Sequence, residues 1–251
     1  MSDLSITFEK NVYQIAITRT QNRNTLSSET CVQMIEALAE AQRNPDVHCV
    51  ILRGDDAIFC AGADLQETLH RTEATSAAYD ALIEALIAFD KPLIAAVLGP
   101  CVGLGVALLS YCDLVYCGEK ALFSIPFTAL GLTPEYGLSY TVVSKAGYHK
   151  ASEKFFLSEP ISAKEALEMG IVNGVFKDEN LVAEVLKRAA RLSQMPLGSL
   201  RATKHLLRHA QAHALRAATN LEKEVLKERL QSEEVREAFQ AFTEGRKPNF
   251  S

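Results

Sequence analysis

Residues 4–9 and 12–18 alternate apolar and polar side chains on either side of Lys10 and Asn11, the period-2 pattern of two strands joined in a hairpin. A polar turn covers 18–24. Met34, Ile35, Leu38 and Ala41 then recur at helical spacing, predicting a helix over 28–42 with Ser28 as its cap, Glu29 in its first turn and Asn44-Pro45 at its end. The β-branched run 47–53 reads as a strand stopping at Gly54, and 59–65 (Phe-Cys-Ala-Gly-Ala-Asp-Leu) as a loop opening a helix. The order recurs with a helix over 78–89, a break at Lys91-Pro92, a buried strand over 93–98, a glycine-bearing loop over 99–105 and an apolar helix to about Cys112. A further strand is expected at 113–117. From about Tyr136 nearly every long stretch has helical periodicity, clearest at 222–242. The break at Met195-Pro196 divides an α/β part, 1–195, from a helical part, 196–251.

Composition adds exclusions. With 251 residues and 48% hydrophobic content, the chain can bury one large core. Its 26 Lys and Arg against 31 Asp and Glu give a net charge of −5, so nucleic acid is not an expected partner. No leader pattern occupies the first 30 residues and no apolar run reaches membrane-spanning length, predicting a soluble chain without membrane association. Cysteines 31, 49, 60, 101, 112 and 117 include no CxxC pair, and are read as packing residues in a reducing compartment. The last four residues, Pro-Asn-Phe-Ser, are not a Ser-Lys-Leu address, and cytoplasm is the expected compartment.

The two glycine-bearing loops are the first candidates for chemistry. A loop that leaves a strand and opens a helix presents unpaired N–H groups able to hold an oxyanion. By spacing alone, Gly62, Gly103 and Gly105 could equally serve tight turns or close helix packing. Nucleotide sites fare worse. After Gly103 and Gly105 the third small residue of a dinucleotide fingerprint is replaced by Leu108, and no Gly-Lys-Ser/Thr occurs.

The segment Phe59-Cys60-Ala61-Gly62-Ala63-Asp64-Leu65, with Lys91-Pro92-Leu93-Ile94-Ala95-Ala96-Val97-Leu98-Gly99, resembles the paired signature of the crotonase, or enoyl-CoA hydratase/isomerase, superfamily. The resemblance continues through 99–113, 121–137, 163–175 and 232–250. It implies an α/β fold of spirally arranged ββα units with a C-terminal helical trimerisation region, a homotrimer or dimer of trimers, and acyl-CoA thioester substrates. Coenzyme A would be part of the substrate, with no further cofactor. The family's oxyanion donors fall on the backbone N–H of Ala63 and Leu104, the second where many relatives have glycine. The helix starting near Gly105 would turn its positive end to the developing enolate. CoA-binding positions carry over to Arg23, Thr25, Ala61, Asp64 and Leu65; the stretch 18–24 could instead be an ordinary polar turn.

The same resemblance bears on the reaction. The two glutamates of the hydratases fall on Ala107 and Phe127, and two apolar side chains cannot activate water. Glu135 occupies the place of the single catalytic glutamate of peroxisomal-type Δ3,Δ2-enoyl-CoA isomerases, with Leu130, Leu132 and Phe127 as a dry wall. That points to an isomerase of fatty-acid oxidation. Read from its neighbours alone, Glu135 follows Pro134 and suits the first turn of a helix. Hydration or other enolate chemistry, and acyl-CoA binding without catalysis, are the alternatives. His205, His209 and His213 form one helical stripe without an intervening acid, more consistent with a solvated or subunit-facing strip than with a metal site; no metal is expected.

Overall fold

The computed structural model describes residues 2–250; Met1, and Ser251 of the terminal tetrapeptide, lie outside them. In chain order the elements are β1 (Leu4–Glu9), β2 (Val12–Ile17), α1 (Ser28–Arg43), β3 (Cys49–Arg53), α2 (Leu65–Leu69), α3 (Glu73–Ala88), β4 (Leu93–Val97), β5 (Pro100–Val102), α4 (Leu104–Ser110), β6 (Leu114–Gly118), β7 (Leu122–Ser124), α5 (Leu138–Ala146), α6 (Tyr148–Leu157), β8 (Ile161–Ser162), α7 (Ala163–Glu168), β9 (Gly174–Phe176), α8 (Asp178–Ser193), α9 (Leu197–Arg229) and α10 (Glu233–Glu244).

The expected hairpin is present: β1 and β2 pair antiparallel, Leu4 opposite Ile17 and Glu9 opposite Val12. Lys10 and Asn11 both take positive φ, as a tight hairpin turn requires. From β2 onward the neighbours in the six-stranded sheet β1-β2-β3-β4-β6-β9 are parallel. Alternate side chains along its strands enter two different cores. Val50, Leu52, Leu93, Ala95 and Val97 join the side packed with α1, α3 and α4. Cys49, Ile51, Ile94 and Ala96 meet Leu181, Val185 and Ala189 of α8. Parallel strands covered on both faces read as continuous apolar runs for this reason, and each fully buried Leu or Ile contributes about 1.5–3 kcal/mol.

The smaller sheet, β5-β7-β8, explains the spiral. The chain places β4 in the large sheet, β5 in the small one, then α4; it next places β6 and β7 likewise. The earlier unit does the same with β3, a single bridge of Cys60 to Cys101, and α2. Each of the first two units thus ends in a loop that leaves the small sheet and opens a helix.

Several boundaries differ from the sequence expectation. Ser27, not Ser28, caps α1, accepting from the Thr30 N–H, while the Ser28 N–H and hydroxyl are held by Glu67. The helix expected over 78–89 begins earlier, at Glu73, because Thr72 and Thr75 form a capping box. The loop 99–105 contains strand β5, and the helix after it starts at Leu104. The stretch after Tyr136, expected to be helical, also carries β8 and β9, the latter an edge of the large sheet. The run 222–242 is two helices, divided where Ser232 caps α10.

Candidate active site

Close approach of two loops builds the first half of the site. Cys60 and Cys101 form a parallel bridge, with the Val102 N–H donating to the Cys60 carbonyl at 2.9 Å. A Cβ on Gly105 would lie 2.9 Å from that same carbonyl, so glycine there lets the start of α4 lie against the first loop. Ala63 sits in a second parallel bridge, with Leu26. Leu26 donates to the Gly62 carbonyl at 2.8 Å and accepts from the Asp64 N–H at 2.7 Å. In a parallel bridge those flanking groups face the partner and the central N–H points away, so the Ala63 N–H is directed off the Leu26 side. Leu104 is the first residue of α4, and a first-turn N–H has no acceptor within its own helix. Both predicted donors therefore stand on adjoining loops, and the Leu104 side chain is buried.

The residues carried over for CoA binding assemble beside the first loop. The Ala61 N–H donates to the Arg23 carbonyl at 3.2 Å. Arg19 joins the Thr25 hydroxyl, at 2.9 Å, to the Asp64 carboxylate, at 2.7 Å. Asp64 also caps α2, accepting from the Gln66 and Glu67 N–H groups. Burial pushes its pKa up, but Arg19 and the two amides outweigh this and hold it below the usual range. The Asp64 carboxylate is thus engaged within the chain, and so is its backbone, the N–H on the Leu26 carbonyl and the carbonyl on the Thr68 N–H and hydroxyl. The Arg23 side chain is exposed, and Leu65 packs against the core.

Glu135 is not in the first turn of a helix, contrary to the reading from its neighbours. Tyr136 takes φ +59°, Gly137 is the cap residue and α5 begins at Leu138. The reason lies in distant partners. Glu222 of α9 accepts from the Gly137 N–H at 2.6 Å and the Ser139 N–H at 2.8 Å, replacing the side-chain cap that Gly137 cannot supply. The Tyr111 hydroxyl donates to the Tyr136 carbonyl at 2.6 Å. A Cβ on Gly137, at φ +80°, would meet Leu215 Cδ1 at 2.5 Å and the Tyr111 hydroxyl at 3.0 Å. The loop carrying Glu135 is therefore locked by α4 and α9.

Glu135 opens on a cavity of about 880 Å³ between α2–α3 and α9–α10, bordered by Arg71, Asp80, Tyr136, Glu222, Leu226 and Phe239 among others. Its wall includes neither Ala63 nor Leu104. Arg71 forms an ion pair with Glu135 at 2.9 Å, the two side chains being only 15% and 12% exposed. Burial holds the Glu135 carboxyl above its ordinary range, with Arg71 and Tyr136 pulling it back. The other carboxylates on this wall have partners or exposure: Asp80 pairs with Lys223 at 2.9 Å, Glu222 holds backbone amides, and Glu73 is exposed. Ala107 and Phe127, at the hydratase positions, are 0% and 7% exposed.

Arg71, Tyr111 and Glu222 escape a reading of the sequence. The only local trace is at Glu222, an acidic residue on the same helical face as Leu226, both buried. The reading of the cysteines as packing residues agrees with the structure at five of six positions, Cys112 being half-buried. Cys31, Cys49, Cys60, Cys101 and Cys117 are buried, and burial pushes the Cys49, Cys60 and Cys117 thiols up to about 12. His205, His209 and His213 are exposed on α9. Among the described residues no group of three His, Cys, Asp or Glu could hold a metal, and no helix is long and apolar enough to cross a membrane.

The chain is 31% identical, over 100% of its length and 99% of the relative's, to a 2,3-dehydroadipyl-CoA hydratase of Escherichia coli. It is 30% identical to enoyl-CoA delta isomerase 2 of Rattus norvegicus over 97% of this chain, spanning 63% of that protein. The crystal structure of an enoyl-CoA hydratase/isomerase from Pseudoalteromonas atlantica superposes with a TM-score of 0.93 at 29% identity, covering 99% of this chain and 100% of that one. A family model described as enoyl-CoA hydratase/isomerase matches residues 7–251. With the two-sheet spiral and its C-terminal helices, these matches establish that the chain belongs to the enoyl-CoA hydratase/isomerase family, with the crotonase fold.

Proposed function

We propose that this family member is a Δ3,Δ2-enoyl-CoA isomerase, moving the double bond of a 3-enoyl-CoA into conjugation with its thioester. The Glu135 carboxylate takes a proton from C2, and the electron pair delocalises onto the thioester oxygen and C4. The Ala63 and Leu104 N–H groups stabilise that oxygen as it becomes negative. Glu135 then returns the proton to C4, leaving a C2–C3 double bond, so one acid–base group closes the cycle. Arg23, Thr25, Ala61, Asp64 and Leu65 border the CoA, and the cavity beside Glu135 takes the acyl group. Coenzyme A belongs to the substrate, and the reaction needs no resident cofactor.

The observation that carries the reading is the largely buried Glu135 carboxylate facing the cavity and free of the backbone amides that occupy Glu222, with Ala107 and Phe127 apolar and buried where a hydrating pair would stand. Purified protein given 3-hexenoyl-CoA is expected to form the conjugated 2-enoyl thioester, followed by its ultraviolet absorbance. Glu135→Gln is expected to lower kcat about 10²–10⁴-fold; full activity in that variant rules out this mechanism. The likeness to a hydratase favours a second reading, addition of water. Rapid loss of crotonyl-CoA absorbance would establish it and displace the first.

Association through the C-terminal helices into trimers is part of the proposal. Leu206, Leu207 and Leu221 of α9 are 70%, 67% and 61% exposed. Sedimentation velocity at micromolar concentration is expected to give a trimer or hexamer, and a monomer would refute it.

A further inference from the structure

The connection between α2 and α3 carries a cation to the Glu135 carboxylate of the cavity. Arg71 lies between His70, which ends α2, and Thr72, which caps α3 with Thr75, so both flanking positions are tied by helix ends. Its Nε donates to the Ser76 hydroxyl at 2.9 Å. One arm of the fork thereby points into the cavity, where Nη2 meets Glu135 Oε2 at 2.9 Å and the Tyr136 hydroxyl at 3.4 Å. A guanidinium fixed at Nε and presenting its far edge to a carboxylate sets that carboxylate's direction as well as its charge.

The geometry points to Arg71 as a positioning residue for Glu135, holding its carboxylate in one orientation and setting its strength as a base through both proton transfers. The inference rests on the reading of Glu135 as the base. The chemistry asks for opposed influences. A carboxyl removed from water without a cation would stay protonated at neutral pH, while a well-solvated ion pair would be too weak a base for an α-proton. Here burial drives Glu135 towards the acid and Arg71 towards the carboxylate. The other charged groups around it are placed differently. Asp80 of α3 opposes ionisation, but is paired with Lys223 of α9. Glu222 of α9 is bound to the Gly137 and Ser139 amides. The Tyr136 phenol, itself pushed upward by burial, stays neutral. Among the described residues Arg71 alone makes a direct ion pair with Glu135.

The test compares Arg71→Met and Arg71→Lys with the parent in two measurements. The carboxyl infrared band, taken as the difference from Glu135→Gln across pH, reports Glu135 titration whatever reaction is catalysed. Removing a cation at this distance is expected to move that midpoint upward by about one pH unit or more. The acid limb of kcat/KM for 3-hexenoyl-CoA should move with it. At neutral pH, kcat should fall about tenfold or more with KM within about twofold, and Arg71→Lys should recover most of the loss. An unmoved infrared midpoint in a folded Arg71→Met, or a raised KM with unchanged kcat, overturns the inference. If Arg71→Met fails to fold, Arg71→Lys decides: an unchanged midpoint and pH profile support the proposal, and loss of the Glu135 titration or of kcat overturns it. Activity surviving in Glu135→Gln is a separate result, which sinks the base assignment while leaving the infrared titration readable.

Discussion

Two of the junctions that tie helix α9 to the core use opposite chemistry. Near its start, cations meet carbonyls: Lys204 Nζ donates to the Lys91 carbonyl at 2.6 Å and to Asp113 at 2.7 Å, and Arg208 donates to the carbonyls of Leu86 and Ile87 in the last turn of α3. Further along, a carboxylate meets amides, as Glu222 accepts from Gly137 and Ser139 at the start of α5. Each end matches the helix terminus it faces, cations at the negative C-terminus and an anion at the positive N-terminus. Only the second junction touches the loop that carries Glu135. The first docks the helix; the second holds the loop of the proposed base.

Breaking the second junction should have the largest effect. Glu222→Ala removes both acceptors and frees the 135–137 loop, and misplacement of a base by about 1 Å can cost roughly 10²-fold in rate. Turnover of the folded variant is expected to fall by about that factor; unchanged kcat would make Glu222 a stability device only.

The first junction offers the contrasting experiment. Burial lowers Lys204 from 10.5 to about 8. The folded state thus binds this proton less tightly than the unfolded chain, and stability rises with pH across about 8 to 10.5 by no more than about 3 kcal/mol. Denaturant titrations at several pH values should show that rise in the parent and not in Lys204→Met, whose kcat should stay within about twofold.

Gly137→Ala tests the steric half of the second junction, since the residue has φ +80° and Leu215 and Tyr111 stand in the way of a Cβ. A loss of about 2 kcal/mol is expected, read as a drop in Tm of roughly 4–8 °C, with a reduced kcat that Lys204→Met does not share.

The smallest effect is a pH slope of opposite sign. Burial raises Glu222 above 4.5 despite its hydrogen bonds. The folded state holds that proton more tightly, so its contribution to stability falls as pH rises from 4.5 through the raised value. Glu222→Gln should remove that slope from the denaturation profile and leave the Lys204 slope intact.

These contrasts separate what was legible in the chain from what was not. Hydrophobic period marked the hairpin, α1, β3, β4 and the C-terminal helices, because burial of a face depends on spacing that local sequence records. Motif resemblance reached Ala63 and Leu104, whose roles need backbone geometry that short glycine-bearing loops specify. Local reading misjudged Glu135. Pro134 suggested a helix start, but the Glu222 carboxylate 85 residues from Gly137 along the chain holds the amides that a nearby cap would otherwise have taken.

By itself, then, the sequence determined which faces are buried, which loops leave strands to open helices, and, through its family resemblance, that Ala107 and Phe127 stand at the positions of the hydratase glutamates. Tertiary structure alone decided what that carboxylate touches. Arg71 and Tyr136, 65 residues apart, converge with Glu135 because the α2–α3 connection and the loop before α5 border one cavity. Periodicity encodes burial, whereas the pairing of charges depends on distances that only the folded chain establishes.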